Sequence, residues 1–225
     1  MNVSVIVPAL NEASVLAETL QHARQPGVRE IIVVDGGSSD ATVEVARPLA
    51  DVVISSACGR ALQMNEGARR AGGDILLFLH ADTHVPRGFA AAAIEACSRP
   101  AVVGGRFDVE LQPSSWLLWI TGELINRRSR LTRVATGDQA IFVRRDVFEA
   151  LGGYPEIPLM EDLDLSRRMK RTGEVVCLRD RVTTSSRRWQ ANGVIRTILL
   201  MWTLRGLYYA GASPARLHSF YRNTR

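Results

Sequence analysis

The chain has 225 residues, of which 46% are apolar and 23% charged, a composition typical of a folded globular domain and unlike that of a disordered chain. The formal net charge of +5 comes almost wholly from arginine, because Lys170 is the only lysine. Guanidinium groups bind phosphate well, so we expect an anionic partner. The arginines are spread along the chain without interleaved aromatic residues, which argues against nucleic acid as that partner.

The cysteines and apolar segments bear on where the protein works. The three cysteines are widely separated and lack metal-ligand spacing: Cys58, Cys97 and Cys177. The start of the chain, MNVSVIVPALNE, lacks a secretory-signal pattern, which favours the cytoplasm. No uncharged apolar stretch is long enough to span a bilayer. In residues 194–210, Arg196 and Arg205 fall on opposite helix faces, which argues against a helix lying on a membrane.

The first hundred residues alternate between strand and helix patterns. Apolar, largely β-branched runs predict strands at residues 3–10, 30–35, 51–55 and 74–82. Helices are predicted at residues 11–23, 40–50 and 60–71, and an alanine-rich helix follows Pro86. This alternation predicts an α/β fold with a doubly wound, mostly parallel sheet and flanking helices.

The second half of the chain has a different order of elements. The pattern predicts a strand at residues 102–111, a helix at 114–134, a strand turning into a helix at 139–153, and a helix at 160–173. A further helical segment is expected near the C-terminus.

The second predicted strand ends on a carboxylate. In IIVVDGGSSDAT, four apolar residues run into Asp35, and Asp40 precedes the next predicted helix. Ligands of open α/β sheets bind outside the carboxyl ends of the parallel strands, so Asp35 is a candidate for a binding crevice. The alternative is that Asp35 opens a turn and Asp40 caps the helix. Both interpretations stay open at this point.

The fourth predicted strand carries a histidine and an aspartate at its end. His80 and Asp82 are two residues apart in LLFLHADTHVP, so on an extended backbone both project to the same side. An imidazole and a carboxylate placed in this way are suited to hold a divalent cation such as Mg²⁺ or Mn²⁺. The alternative is a strand-end histidine followed by a turn.

An acidic cluster opens the helix predicted at residues 160–173. Glu161, Asp162 and Asp164 precede Arg168, an arrangement that also complements the helix dipole and allows an Asp164–Arg168 pair at i,i+4. The preceding glycine- and proline-rich loop would deliver the acids to the edge of a pocket. A desolvated carboxylate near other acids can have its pKa raised enough to act as a general base.

Four motifs occur in an order that resembles the family 2 glycosyltransferases, which have the GT-A fold. They are VIVPALNEA, VVDGGSSDAT, GRALQMNEGARRAGGDILLFLHAD, and GDQAIFVRR followed by GGYPEIPLMEDLDLSRRMKRTG. The resemblance covers roughly residues 1–190, and the chain looks like a short bacterial subgroup in which LHAD and TSSRRW-like segments recur.

The resemblance implies which residues bind a nucleotide-diphosphate sugar. Asp35 would accept hydrogen bonds from the base or ribose. The positions expected to line the nucleoside and phosphate pocket are Pro8, Ala9, Asn11, Glu12, Gly59, Arg60 and Asn65. The triplet His80-Ala81-Asp82 stands where the family has its DxD motif. Asp82 would therefore ligate Mn²⁺ or Mg²⁺, and His80 would ligate the same metal or contact the ribose.

The resemblance also implies a mechanism. EDLD matches the family's ED motif, so Asp162 is the candidate base that deprotonates the acceptor hydroxyl in an inverting, metal-dependent transfer. SSRRW resembles the QxxRW motif, with Ser185 in place of glutamine. Arg188 would steady the leaving diphosphate, and Trp189 would stack on a sugar.

Two other functions share parts of the pattern. A nucleotidyltransferase acting on a sugar phosphate would carry a glycine-rich phosphate loop after the first strand, where this chain has PALNEA. An NAD-binding fold would carry G-x-G-x-x-G there. We therefore expect a glycosyltransferase domain over residues 1–190, with a nucleotide-binding half (1–100) and an acceptor and catalytic half (101–190). Residues 191–225 would form a helical extension.

A tryptophan-rich helical face raises the question of the acceptor. Trp116, Trp119 and Ile120 lie at i, i+3 and i+4. Four arginines follow them: Arg127, Arg128, Arg130 and Arg133. One interpretation is a peripheral contact with the inner face of the cell membrane and a lipid-linked acceptor. The other is a core or homodimer contact, with arginines that bind a soluble anionic acceptor.

Overall fold

The computed structural model describes residues 1–223, apart from the side chains at positions 188, 192, 222 and 223. Its strands are β1 Val3–Ala9, β2 Val28–Asp35, β3 Val52–Ser55, β4 Ile75–Phe78, β5 Thr83–His84, β6 Val102–Gln112, β7 Ile141–Arg144 and β8 Glu174–Ser185. Its helices are α1 Ala13–Ala23, α2 Thr42–Ala46, α3 Arg60–Arg70, α4 Phe89–Ser98, α5 Trp116–Thr132, α6 Arg145–Ala150, α7 Glu161–Thr172, α8 Arg187–Asn192, α9 Val194–Tyr209 and α10 Pro214–Asn223. A 3-10 helix spans Gly137–Gln139.

The strands form one mixed sheet in the order β3-β2-β1-β4-β7-β6-β8-β5. The four strands of the N-terminal half, β3, β2, β1 and β4, are parallel to one another. β7 joins β4 and β6 in antiparallel pairing, and β8 runs parallel to β6. The α/β fold class is therefore confirmed, with the parallel half where the sequence pattern predicted it.

Both faces of the parallel half are covered, which explains its continuous apolar runs. Val5, Val7 and Val33 point to one face and pack in a cluster with residues of α1 and α4. Ile6 and Val34 point to the other face and pack with residues of α3 and α7. Apolar side chains fill most of both faces, and the predicted site residues lie where the strands end.

Two predictions of local structure were wrong. The predicted strand 74–82 ends at Phe78, and the chain then turns, with the N–H of Thr83 donating to the carbonyl of His80 over 3.1 Å. His80 and Asp82 therefore do not share one side of an extended strand. The structure also contains a strand that the pattern did not predict, β8 at Glu174–Ser185, which pairs with β6 along its length.

The C-terminal helices share a small core with the second half of the domain. Leu204 of α9 and Leu217 of α10 are buried with Val134, Met160 and Leu163. This contact places α9 beside the start of α7, where the acidic cluster lies. Among the described residues, no helix is both long and apolar enough to cross a membrane.

Candidate active site

The carboxyl end of β2 places Asp35 at the predicted edge of the sheet. Its carboxylate is almost buried and accepts hydrogen bonds from the N–H groups of Gly37, at 3.0 Å, and Ser38, at 3.1 Å. These hydrogen bonds are the ones expected if Asp35 opens a turn, and they hold its carboxylate in one orientation. Asp40 accepts from the N–H of Thr42, the first residue of α2, and from that of Ala13, the first residue of α1.

The loops after β1 and β2 are tied to each other. The carbonyl of Ala9 accepts from the N–H of Gly36 at 2.9 Å and from the buried side chain of Gln63 at 2.9 Å. Asn11 has a φ of 55° and accepts from the N–H of Ser39 at 2.8 Å. Pro8 lies next to these residues, opposite Val34 in the sheet. The predicted positions Pro8, Ala9, Asn11 and Asp35 are therefore brought together.

An arginine that the sequence did not single out lies between two predicted carboxylates. One terminal nitrogen of Arg187 stands 3.1 Å from Oε2 of Glu12 and 3.6 Å from Oδ2 of Asp82. Pairing of β5 with β8 brings this arginine into place, since the N–H of Ser185 donates to the carbonyl of Asp82. The side chain of Arg188 lies outside the described residues, and Trp189 is half-buried in α8.

The donor set around Asp82 fits a hard divalent cation. The carboxylates of Glu12 and Asp82 already share one cationic partner, and Asp82 is partly exposed. Mg²⁺ and Mn²⁺ sites of transferases combine one or two carboxylates with substrate phosphate oxygens. Within the described residues, the one group of three side chains with metal-ligand spacing is Glu18, His22 and His84, which does not include Asp82. A cation held by Asp82 would therefore need phosphate oxygens of the substrate as further ligands.

The acid pair Glu161 and Asp162 opens α7 and lines a small pocket with mostly apolar walls. The other lining residues include His80, Gly137, Met64, Phe78 and Tyr154. Burial raises the pKa of Glu161 to about 7, the charge of Asp162 adds to this rise, and Arg60 opposes it. Burial likewise raises the pKa of Asp162, against the opposing effects of backbone donors and Arg205.

Two backbone donors orient the carboxylate of Asp162. The N–H of Gly137 donates to its Oδ2 at 2.7 Å, and the N–H of Leu163 donates to its Oδ1 at 2.8 Å. His80 packs against the same glycine, because a Cβ at position 137 would stand 2.6 Å from Nε2 of His80. His80 therefore lies near the acid pair, whereas Asp82 lies near Arg187.

The loop that leads into the acid pair is fixed by two side chains. Asn65 of α3 accepts from the N–H of Tyr154 at 2.8 Å and donates to its carbonyl at 2.9 Å. Arg168 donates to the carbonyls of Leu151 and Gly153 and pairs with Asp164 at 2.6 Å. In this structure the amide of Asn65 supports the loop, and a contact with a phosphate stays a prediction. Gly59 and Arg60 stand at the start of α3.

Arg128 interacts electrostatically with Asp162. Nε and Nη2 of Arg128 are buried, and within the described residues neither has a hydrogen-bond partner. Burial lowers the pKa of Arg128 to about 10, and the charge of Arg205 lowers it further, while Asp138 and Asp162 oppose the change. Among the described residues, Oδ1 of Asp138 is also buried without a hydrogen-bond partner.

Residues 4–152 match the family model described as glycosyl transferase family 2. The chain belongs to glycosyl transferase family 2. A curated relative from Pseudomonas aeruginosa, an undecaprenyl-phosphate 4-deoxy-4-formamido-L-arabinose transferase, is 28% identical over 66% of this chain and 49% of its own length. A PGL/p-HBAD biosynthesis glycosyltransferase from Mycobacterium tuberculosis is 31% identical over 67% of this chain and 62% of its own length. The chain therefore spans between about half and three fifths of these relatives.

Solved structures share the fold of this family 2 chain. Residues 1–349 of S. aureus TarS superpose with a TM-score of 0.65 at 19% identity, covering 83% of this chain and 61% of that one. Glucosyl-3-phosphoglycerate synthase from Mycobacterium tuberculosis gives 0.60 at 18% identity, covering 80% and 70%. These similarities establish the GT-A fold.

The family 2 chain exposes apolar side chains on two helices. On α5, Trp116 is 75% exposed and Trp119 is 57% exposed, so neither belongs to the core. On α9, Ile195, Leu199 and Trp202 form an exposed stripe at i, i+4 and i+7. Of the four arginines after the tryptophans, Arg127 and Arg133 are exposed, and Arg133 donates to the carbonyl of Val175. Arg130 pairs with Asp108, and Arg128 is largely buried.

Proposed function

We propose that this family 2 chain transfers a sugar from a nucleotide-diphosphate sugar to an acceptor hydroxyl, with inversion at the anomeric carbon. The observation that carries the proposal is the acid pair of raised pKa, held by Gly137 beside a sheet edge that also bears Asp35 and Asp82. A buried carboxylate whose pKa is raised above its usual range is suited to accept a proton from a hydroxyl.

The nucleotide would bind at the carboxyl ends of β1, β2 and β4. Asp35 would accept from the base or ribose, and the tied loops that carry Pro8, Ala9 and Asn11 would enclose the nucleoside. Glu12, Gly59, Arg60 and the triplet His80-Ala81-Asp82 would line the rest of the donor site. Similar structures support this choice of donor, since TarS was crystallised with UDP-GlcNAc and the mycobacterial synthase with UDP and Mn²⁺.

Asp82 would hold the divalent cation, Mn²⁺ or Mg²⁺, with Glu12 close by. The metal would offset the negative charge that develops on the leaving diphosphate. Arg187 stands between the two carboxylates and would turn to the diphosphate when the metal takes its place. Arg188 and Trp189 are proposed to contact the diphosphate and a sugar from the same short helix.

Asp162 would act as the base in a single displacement. The acceptor oxygen forms a bond to the anomeric carbon from the face opposite the diphosphate, and the bond from that carbon to the diphosphate oxygen breaks. The hydroxyl proton passes to Asp162, and the nucleotide diphosphate leaves. Attack from the opposite face inverts the anomeric configuration.

The acceptor is proposed to be lipid-linked and to be met at the inner face of the cell membrane. The exposed tryptophans of α5 and the apolar stripe of α9 support a peripheral contact, and exposed Arg196 stands beside that stripe. The name of the Pseudomonas relative states an undecaprenyl-phosphate acceptor for that protein. A homodimer that covers the same faces is the competing arrangement.

Calorimetric titration with nucleotide diphosphates, with and without Mn²⁺, tests the donor site. We expect one nucleotide to bind, and to bind more tightly with Mn²⁺. Asp82→Ala should remove the metal-dependent gain and leave the metal-independent binding in place. Absence of binding by every nucleotide diphosphate would contradict the proposed function. NMR of the anomeric proton of the product would then report inversion or retention.

A further inference from the structure

We propose that Glu18, His22 and His84 form a Zn²⁺ site that fastens the segment after Asp82 to α1. The three side chains offer one carboxylate oxygen and two ring nitrogens, all within 4.8 Å of one another. Glu18 and His22 belong to α1, and His84 belongs to β5. The site stands on these residues alone and is independent of the proposed glycosyl transfer.

The geometry of α1 brings Glu18 and His22 together. Residues four apart are neighbours on the surface of a helix, so both side chains stand on one face. Nδ1 of His22 lies 2.9 Å from the backbone carbonyl oxygen of Glu18. The ring nitrogen must be the donor, because a carbonyl can only accept. In the neutral ring this leaves Nε2 without a proton, which is the form that binds a metal.

His84 reaches the same face of α1 from the edge of the sheet. Its ring stacks on that of His22, with the ring centres 4.6 Å apart and the planes 7° from parallel. Nδ1 of His84 lies 3.8 Å from Oε1 of Glu18, which is too long for a hydrogen bond. Two ligand atoms of a tetrahedral Zn²⁺ ion, with bonds of about 2.0–2.1 Å, stand about 3.3 Å apart. The observed separation is therefore close to that of a zinc site.

Small rotations of the side chains complete the site. The two stacked rings must tilt toward each other, because two nitrogens share a metal only when their lone pairs converge on it. Glu18 and His22 are exposed and His84 is half-buried, so the carboxylate and the rings have room to turn. Water takes the fourth position of a zinc site with three protein ligands.

Hydrogen bonds on either side of His84 hold its backbone beside α1. The buried hydroxyl of Thr19 donates to the carbonyl of Ala81 at 2.8 Å. The side-chain amide of Gln25, just after α1, donates to the carbonyl of Pro86 at 3.1 Å. The two parts of the site therefore face each other before a metal binds, which reduces the conformational entropy lost on binding.

The ligand atoms select the metal. Imidazole nitrogens suit Zn²⁺, whereas Mg²⁺ and Mn²⁺ favour sites built from carboxylate, carbonyl and water oxygens. Two imidazoles and one carboxylate therefore favour Zn²⁺ over the divalent cations proposed for the donor site.

The zinc site lies apart from the carboxylates of the proposed donor site. Glu12 precedes α1 as its N-cap, and Glu18 and His22 follow it by six and ten residues. At about 1.5 Å per residue, these are about 9 Å and 15 Å along the helix axis. β5 has two residues and lies at the end of the sheet, directly after Asp82. A Zn²⁺ ion on His84 ties this short edge strand to α1.

Calorimetric titration of Zn²⁺ into the full chain, in the presence of excess Mg²⁺, tests the site. We expect one Zn²⁺ ion to bind per chain. Glu18→Gln, His22→Gln and His84→Gln should each weaken this binding by at least about 100-fold, because removal of an outer-shell partner alone typically costs about 10-fold to 100-fold. No binding of Zn²⁺ by the unmodified chain would overturn the inference.

Three control variants remove other groups that bind zinc. His218→Gln changes a histidine of α10, Cys58→Ser changes an exposed thiol, and Asp82→Ala removes the carboxylate of the proposed donor site. All three should bind Zn²⁺ as the unmodified chain does. Unchanged binding by His22→Gln, or loss of binding in Asp82→Ala, would place the Zn²⁺ elsewhere and overturn the inference.

NMR of the histidine rings identifies the ligands directly. The chain has four histidines, and their ring signals are assigned from single variants. The first equivalent of Zn²⁺ should move the signals of His22 and His84 and leave those of His80 and His218 in place. A first equivalent that moves His80 or His218 instead would overturn the inference.

Thermal unfolding and amide hydrogen exchange test whether the ion fastens β5. Zn²⁺ at about 100 times its dissociation constant should raise the unfolding temperature of the unmodified chain by about 5–10 °C. His84→Gln should lose this rise, and its unfolding without Zn²⁺ shows that the variant folds. The amides of residues 83–88 should exchange more slowly with Zn²⁺ bound. Binding that leaves both the unfolding temperature and this exchange unchanged would overturn the fastening of β5.

Discussion

The backbone N–H of Gly137 donates to Oδ2 of Asp162 over 2.7 Å, and this glycine has no room for a side chain. Its Cα faces the ring of His80, with Nε2 of the histidine 2.6 Å from where a Cβ would stand. Residues from three separate segments thus meet at one point, and their close approach sets the orientation of the carboxylate that we propose as the base.

Gly137→Ala should therefore disturb the acid pair. A methyl group at this position must displace His80 or the 3-10 helix, and overpacking of this kind typically lowers the free energy of unfolding by about 1–3 kcal/mol. We also expect turnover to fall, because the hydrogen bond to Asp162 moves with the helix. Chemical unfolding and initial-rate measurements check both effects.

Two further variants show whether the clash with His80 is the cause. In a His80→Ala background, the added methyl group should change the unfolding free energy by less than about 0.5 kcal/mol. Gly206→Ala adds the same methyl group on α9, where nothing lies within 4 Å of it, and should be neutral or stabilising. Equal losses from Gly137→Ala with and without His80 would contradict the packing argument.

Asp162→Asn separates chemistry from donor binding. The amide keeps the shape of the side chain but cannot take up the proton of the sugar-acceptor hydroxyl. Turnover should therefore fall by roughly 10²-fold to 10⁴-fold. Nucleotide affinity should stay near that of the unmodified protein, since Asp35 and Asp82 are unchanged. The control is Asp180→Asn, an exposed aspartate on β8. Parallel losses of affinity and turnover would indicate a structural role at the start of α7.

The raised pKa of Glu161 makes stability depend on pH. Burial raises this pKa from 4.5 to about 7, so between these values the folded state binds more protons than the unfolded chain. Stability should therefore fall as the pH rises through this window, by at most about 3 to 4 kcal/mol from this residue at about 1.4 kcal/mol per pKa unit. Glu161→Gln should flatten the curve.

Urea unfolding at a series of pH values measures this effect. Above pH 7 the Glu161→Gln variant should be more stable than the unmodified protein, because it has no buried charge to ionise. Glu149→Gln, an exposed change at the end of α6, is the control and should leave the slope unchanged. If the pH dependence of stability has the same slope in Glu161→Gln as in the unmodified protein, it does not come from the ionisation of Glu161.

Local sequence patterns predicted the parallel half of the sheet because β1, β2 and β4 are apolar on both faces. The same logic missed β8, whose segment VVCLRDRVTT alternates poorly and exposes several charged side chains. It also extended β4 by four residues, because LHAD is apolar at two positions although the backbone there turns.

The candidate site was predictable where its residues follow strand ends or start a helix. Asp35 and Asp162 occupy such positions. The GDQ segment that contains Gly137 was recognised as part of a family motif, but the sequence assigned no role to it. The position of Arg187 could not be predicted from spacing, because Glu12 and Asp82 come from distant segments. Arg205 was interpreted by its helix face alone, although its charge lowers the pKa of Asp162.

The exposed tryptophans lead to the last prediction. Because Trp116 is 75% exposed and Trp202 is 65% exposed, each loses little packing within the chain when it is replaced by alanine. If these faces rest on a bilayer, the unmodified protein should float with vesicles that contain anionic lipid, and Trp116→Ala/Trp119→Ala and Trp202→Ala should float less. Leu131→Ala, an exposed change at the far end of α5, is the control. A homodimer would instead give twice the chain mass in light scattering, no flotation, and loss of the dimer in the tryptophan variants, which would rule out the membrane contact.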